Sequence, residues 1–145
     1  MLVTSWVVKK SVGLEGYRTE LVCEGESYRA VCGGWLGAIM SSFREQLRLV
    51  AEDHGEQIAR AELGRTGPIM VEEWTVEPLV TQGGYRVWMR SGRFEYTALT
   101  DGTLESVIMA MQGAMKFFAM KYGIIEVDPE VARNRDRAEE LRRVH

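Results

Sequence analysis

Residues 6–55 and 74–123 of this chain align without a gap, fifty against fifty, at a constant offset of 68. Twelve positions are identical: Trp6/Trp74, Val8/Val76, Val12/Val80, Gly16/Gly84, Tyr17/Tyr85, Arg18/Arg86, Tyr28/Tyr96, Ala30/Ala98, Gly34/Gly102, Leu36/Leu104, Ala51/Ala119 and Gly55/Gly123. Composition alone predicts roughly three. A fixed period means one supersecondary unit used twice. The fold must therefore be one that two copies of a short unit can build together.

Each copy reads strand, strand, strand, helix. The first strands are Trp6–Val12 and Trp74–Val80, where Trp and Val alternate as one buried face requires. Gly-bearing turns follow at Gly13–Gly16 and Thr81–Gly84. The second strands are Tyr17–Cys23 and Tyr85–Ser91, and the third are Glu26–Cys32 and Phe94–Thr100. The two-residue turns between them differ in chemistry: Glu24-Gly25 suits type I′, and Gly92-Arg93 suits type II′.

Helices begin after Gly33-Gly34 and Asp101-Gly102. Leu36, Ile39, Met40, Phe43, Leu47, Val50 and Ala51 form one apolar stripe. Leu104, Val107, Ile108, Met111, Met115, Phe118 and Ala119 repeat it in the same register. Gly55 and Gly123 close both helices. The outer faces differ. The first helix carries Arg44, Glu45, Arg48, Glu52 and Asp53 there; the second carries Met109, Ala110, Ala114, Phe117 and Met120. A helix apolar on nearly all sides needs a further partner: the first helix, the C-terminal tail or another subunit.

The segment 56–73 is read as a linker in which the first helix extends to about Leu63, where Gly64-Arg65-Thr66-Gly67-Pro68 breaks it. In the tail, 124–145, Asp128-Pro129 opens a short charged helix to about Arg143. The 145 residues, 46% hydrophobic, are expected to make one α+β domain. Its two repeats would be related by a pseudo-two-fold axis, with six antiparallel strands in one continuous sheet or two abutting ones and both long helices on one side. No apolar run approaches the roughly 20 residues of a membrane span, and no signal-peptide pattern opens the chain, so a cytoplasmic protein is expected. Strand pairing puts the sulfurs of Cys23 and Cys32 about 20 Å apart, so both are read as buried, reduced thiols.

Catalytic signatures are missing from the sequence. Two histidines are too few for a histidine-based metal site or triad; His54 sits at a helix end and His145 is the last residue. No Ser, Cys or Thr stands in a nucleophile setting. Glu72 and Glu73 adjoin, but neighbouring strand residues point to opposite faces. Gly33-Gly34 before a helix suits a capping turn better than an anion site, because Asp101 takes the equivalent place. The reading is a non-enzyme without cofactor or metal.

The open face of the sheet holds the candidates. By parity it carries Val7, Lys9 and Ser11; Arg18, Glu20 and Val22; Ser27, Arg29 and Val31. The second copy adds Thr75, Glu77 and Leu79; Arg86, Trp88 and Arg90; and Arg93, Glu95, Thr97 and Leu99. Six are basic and three acidic, against a net charge of −3 for the whole chain. Arg18, Arg29, Arg86, Trp88 and Arg90 are the candidate binding residues. Arginines hold phosphates while an aromatic stacks a base, which suits single-stranded nucleic acid or a nucleotide. Alternatively, the arginines pair with Glu20, Glu77 and Glu95 across strands, and the half-apolar face meets a protein or a second copy of the chain.

A repeated strand-meander-plus-helix unit resembles the PUR repeat and Whirly group of single-strand nucleic-acid binders. That resemblance implies two packed sheet-and-helix repeats whose sheet surfaces bind the strand. Those repeats have four strands where this one reads as three, and the resemblance transfers no residue. The size equally suits an inhibitor or ligand-sequestering protein of the phage accessory type acting as a homo-oligomer.

Overall fold

The computed structural model describes residues 1–13, 15–56 and 68–123. The element order is β1 (Val3–Lys10), β2 (Tyr17–Cys23), β3 (Glu26–Cys32), α1 (Leu36–Asp53), β4 (Glu73–Pro78), β5 (Tyr85–Ser91), β6 (Phe94–Thr100) and α2 (Leu104–Lys121). The architecture is α+β: two three-stranded antiparallel sheets, β1-β2-β3 and β4-β5-β6, with two helices. The sheets abut where β1 packs beside β4, without a ladder between them. Among the described residues no helix is long and apolar enough to cross a membrane.

β2, β3, β5, β6 and the starts of both helices fall where the hydrophobic pattern predicts. Alternation does the work in the strands. Tyr17, Thr19, Leu21 and Cys23 of β2 and Tyr85, Val87, Met89 and Ser91 of β5 are buried. The apolar ones join the stripes of α1 and α2 in one core. Glu24 and Gly25 both have positive φ, as a type I′ turn demands, whereas in the second hairpin only Gly92 does. α1 ends in a Schellman motif: Gly55 N–H donates to Glu52 O at 3.2 Å and Glu56 N–H to Ala51 O at 2.8 Å. It therefore stops at Asp53 instead of continuing to Leu63. Residues 57–67 and the tail helix lie outside the described residues.

The first strand of each half departs from expectation. β1 starts three residues earlier than Trp6 and ends at Lys10; β4 ends at Pro78. Ser11 N–H donates to Gly16 O at 3.0 Å and Leu79 N–H to Gly84 O at 2.9 Å, so the chain is already turning there. Val12 and Val80, identical in the two halves, sit on the turns and are 97% exposed. Ser11, expected on the open face, is buried. Glycine is required where these turns end. A Cβ on Gly16 would lie 2.2 Å from Cys32 O, and one on Gly84 2.0 Å from Thr100 O.

The outer face of α2 is less bare than its composition suggests. Ala110 and Ala114 are buried, and α1 packs beside α2. Phe117 is half-buried against Tyr96, at 5.5 Å between ring centroids. Met109 and Met120 remain exposed.

The two halves are joined by contacts that come in matched pairs. Val3 N–H donates to Gly102 O, and Val71 N–H to Gly34 O, both at 2.8 Å. The first N–H of α1, on Leu36, reaches Ile69 O at 2.8 Å; that of α2, on Leu104, reaches Met1 O at 3.1 Å. Tyr17 Oη donates to Val71 O at 2.9 Å, and Tyr85 Oη to Val3 O at 3.1 Å. Trp6 meets Tyr85 edge-on at 6.0 Å, and Trp74 meets Tyr17 at 5.7 Å. Each partner sits 68 residues from its counterpart. The correspondence thus reaches back to Met1 and Ile69, five residues beyond the alignment that sequence identity supports. Each helix N-terminus, with its orphan N–H groups, is capped by main chain from the other half.

Candidate binding surface on the sheets

Strand register turns the open face into two grids of three rows. In the first sheet the rows are Ser5, Val22, Ser27; Val7, Glu20, Arg29; and Lys9, Arg18, Val31. In the second they are Glu73, Arg90, Glu95; Thr75, Trp88, Thr97; and Glu77, Arg86, Leu99. Residues in a row stand directly opposite one another, close enough to interact. The pattern places all five candidate residues on this face.

Three of the four candidate arginines have carboxylate partners. Arg29 Nε donates to Glu20 Oε2 at 2.8 Å. Arg86 pairs with Glu77 across β4 and β5. Arg90 pairs with Glu72, donates to Glu73 Oε1 at 2.9 Å, and touches Gly92 O at 3.2 Å. Glu20 and Glu77 are thus the cross-strand partners that parity anticipates. Glu95 is not the partner of Arg90. Glu72 and Glu73 do not diverge either. Glu72 precedes β4, its N–H donating to Arg90 O at 2.9 Å, and both carboxylates converge on one guanidinium. Such exposed pairs contribute about 0–1 kcal/mol each and open easily. Trp88 is half-buried, flanked in its row by Thr75 and Thr97 and along β5 by Arg86 and Arg90. Arg93, in the adjoining turn, lies over the Phe94 ring at 5.1 Å.

Arg18 differs from the other arginines. Among the described residues it is exposed and has no hydrogen bond or ion pair, and its cross-strand neighbour is the exposed Lys9. Two cations facing each other on a sheet repel by about 0.5–1 kcal/mol. Glu20, the one carboxylate in that grid, is engaged with Arg29. The first grid holds three cations and one carboxylate; the second holds two cations and three carboxylates. Positive charge is therefore concentrated on the first sheet, not around Trp88. Lys9 belongs to this surface as much as any candidate arginine. Sequence parity put it on the open face but could not show that it stands opposite Arg18.

Elsewhere, several polar groups have structural work. His54, the C-cap of α1, has Nδ1 3.2 Å from Glu24 Oε2. Among the described residues no cluster of three or more His, Cys, Asp or Glu side chains has metal-binding geometry. Cys23 is buried, and Cys32 is half-buried rather than buried; both are free thiols. Burial pushes both thiols up from their ordinary pKa, which keeps them protonated and unreactive near neutrality. At the start of α2, Thr103 donates both its N–H and its hydroxyl to Asp101, and Ser106 N–H donates to Thr103 Oγ1 at 3.3 Å. Those bonds, the Thr103 hydroxyl first, hold the Asp101 carboxyl below its usual range. The Gly33-Gly34 turn is likewise occupied by main chain, since Gly34 O accepts from Val71.

No protein-family model, no curated protein and no solved structure matches this chain.

Proposed function

We propose that the chain is a non-catalytic binding module built from two copies of one βββα unit related by a pseudo-two-fold axis. Its open sheet face takes single-stranded nucleic acid or a nucleotide. The symmetry reading rests on the matched contacts between the halves. The binding reading rests chiefly on one observation: the open sheet faces carry exposed Arg18 and Arg29 on the first sheet, and Arg86 and Arg90 on either side of a half-exposed Trp88 on the second. Weak surface pairs such as Arg86–Glu77 let a guanidinium exchange a carboxylate for a phosphate, while an indole offers a stacking plane. Trp88→Ala should weaken binding of labelled single strands, and affinity should fall steeply with salt. Absence of binding at low salt, or unchanged affinity in Trp88→Ala, counts against this function.

A second reading is favoured by a separate observation. Val31 and Leu99, at corresponding places on the outer strands β3 and β6, are 67% and 65% exposed. With Arg29, Arg86 and Arg90 already neutralised, such a face suits a protein partner or a second copy of the chain. Light scattering that shows a monomer at high concentration removes the self-association form of this reading.

A further inference from the structure

The Lys9–Arg18 row carries more than the general reading of the sheet as a binding face. We propose that Lys9 and Arg18 together form a phosphate subsite on the first sheet, an inference that rests on the nucleic-acid or nucleotide reading above. The corresponding row of the second sheet shows what the fold accepts at this place: Glu77 opposite Arg86, an attractive pair. The first sheet instead puts Lys9 there, opposite the equivalent arginine. The backbone does not require two cations, and packing does not explain them, because both side chains are exposed. Their repulsion is relieved when a shared anion sits between them.

The surroundings define the ligand. Val31 completes the row and is 67% exposed; Val7 lies two residues along β1 from Lys9 and is 37% exposed. Glu20 is held by Arg29, which keeps the nearest carboxylate of the grid occupied. A dianion or phosphodiester with an adjoining flat or apolar moiety fits this pattern: phosphate on the two cations, sugar or base over the valines. The source is either a free nucleotide or a strand, both offering the same phosphate chemistry.

The test uses the full chain and fluorescence anisotropy at about 50 mM salt, with a labelled twelve-residue oligothymidylate as probe and AMP as competitor. The variants are Lys9→Glu, Lys9→Gln, Arg18→Ala and Trp88→Ala. Lys9→Glu recreates the pairing seen in the second sheet, so it keeps the fold. The expected result is a loss of about tenfold in affinity for Lys9→Glu and a smaller loss for Lys9→Gln. The slope of log affinity against log salt should shrink by about 0.7 for each cation removed. Competition by AMP that Lys9→Glu abolishes assigns the subsite to a free nucleotide; loss with the oligonucleotide alone assigns it to a strand. Wild-type affinity in both Lys9→Glu and Arg18→Ala, with loss only in Trp88→Ala, overturns the subsite and leaves the broader reading standing. No binding of either probe by the wild type overturns both.

Discussion

Tyr85 donates its hydroxyl proton to the main-chain carbonyl of Val3 at 3.1 Å, tying β5 of the second half to the first strand of the chain. Tyr17 does the same in reverse, to Val71 at 2.9 Å. Both hydroxyls are buried, so removing either leaves a buried carbonyl without its donor. Tyr17→Phe and Tyr85→Phe should each destabilise the protein by about 1–2 kcal/mol. Urea titration is the check, with the midpoint falling and the slope unchanged. Wild-type stability in both variants would show that these bonds do not hold the halves together.

Gly113 lies in the middle of α2, where alanine normally adds about 1 kcal/mol to helix stability. Here a Cβ would stand 2.3 Å from Tyr96 Oη, which donates to Ala110 O at 3.2 Å. Gly113→Ala should therefore destabilise by about 1–2 kcal/mol, against the intrinsic helical preference. In a Tyr96→Ala background the same change should stabilise. Thermal unfolding of the four proteins of that double-mutant cycle decides it by the sign of the coupling.

The charge rows give opposite effects at equivalent places. Lys9→Glu should raise stability by about 0.5–1 kcal/mol, since it sets a carboxylate opposite Arg18. Glu77→Lys should lower it by a similar amount by removing the partner of Arg86. The melting temperatures should move about 1–3 °C in opposite directions at low salt and converge as salt rises. Shifts of the same sign in both variants would contradict the cross-strand account.

Alkaline pH should weaken the fold. Burial, reinforced by the charges of Glu73 and Glu72, raises the Tyr17 phenol to about 12. Burial raises Tyr85 and Tyr96 in the same direction. Between about 10 and 12 the unfolded chain has lost phenolic protons that the native state keeps. The unfolded state then binds fewer protons, so stability falls as pH rises through that window and is fully present below it. For Tyr17 alone the loss is on the order of 2 kcal/mol. Melting curves at pH 9 and pH 11 should show a drop that is smaller in Tyr17→Phe. An equal drop in both proteins would mean that Tyr17 is not responsible.

Trp88 and Arg18 mark how far the candidate surface was legible in sequence. Period-two alternation places both on the open face, because side-chain direction along a strand is a local property. Partners are not local. A four-residue turn at Gly13–Gly16 would set Lys9 opposite Glu20, an attractive pair. The strands instead end at Lys10 and Tyr17, which slides the register by two residues and brings Lys9 opposite Arg18. A two-residue slip keeps every side chain on its face, so alternation cannot detect it. Glu72 is a different case: it lies just before β4, where strand parity no longer governs where a side chain points.

Sequence periodicity was enough for the strands β2, β3, β5 and β6, the starts of both helices, and the face that side chains within those four strands take. These follow from hydrophobic periodicity and from glycine at turns, which act over a few residues. The contacts that the halves exchange emerge only from packing. Met1 and Val3 close on the start of α2, and Ile69 and Val71 close on the start of α1. Those bonds join main-chain groups about 35 or about 100 residues apart. Main-chain N–H and C=O groups are the same in every residue except proline, which lacks the N–H. Their pairing therefore leaves little trace in side-chain identity, and it appears only once the two cores have packed into one.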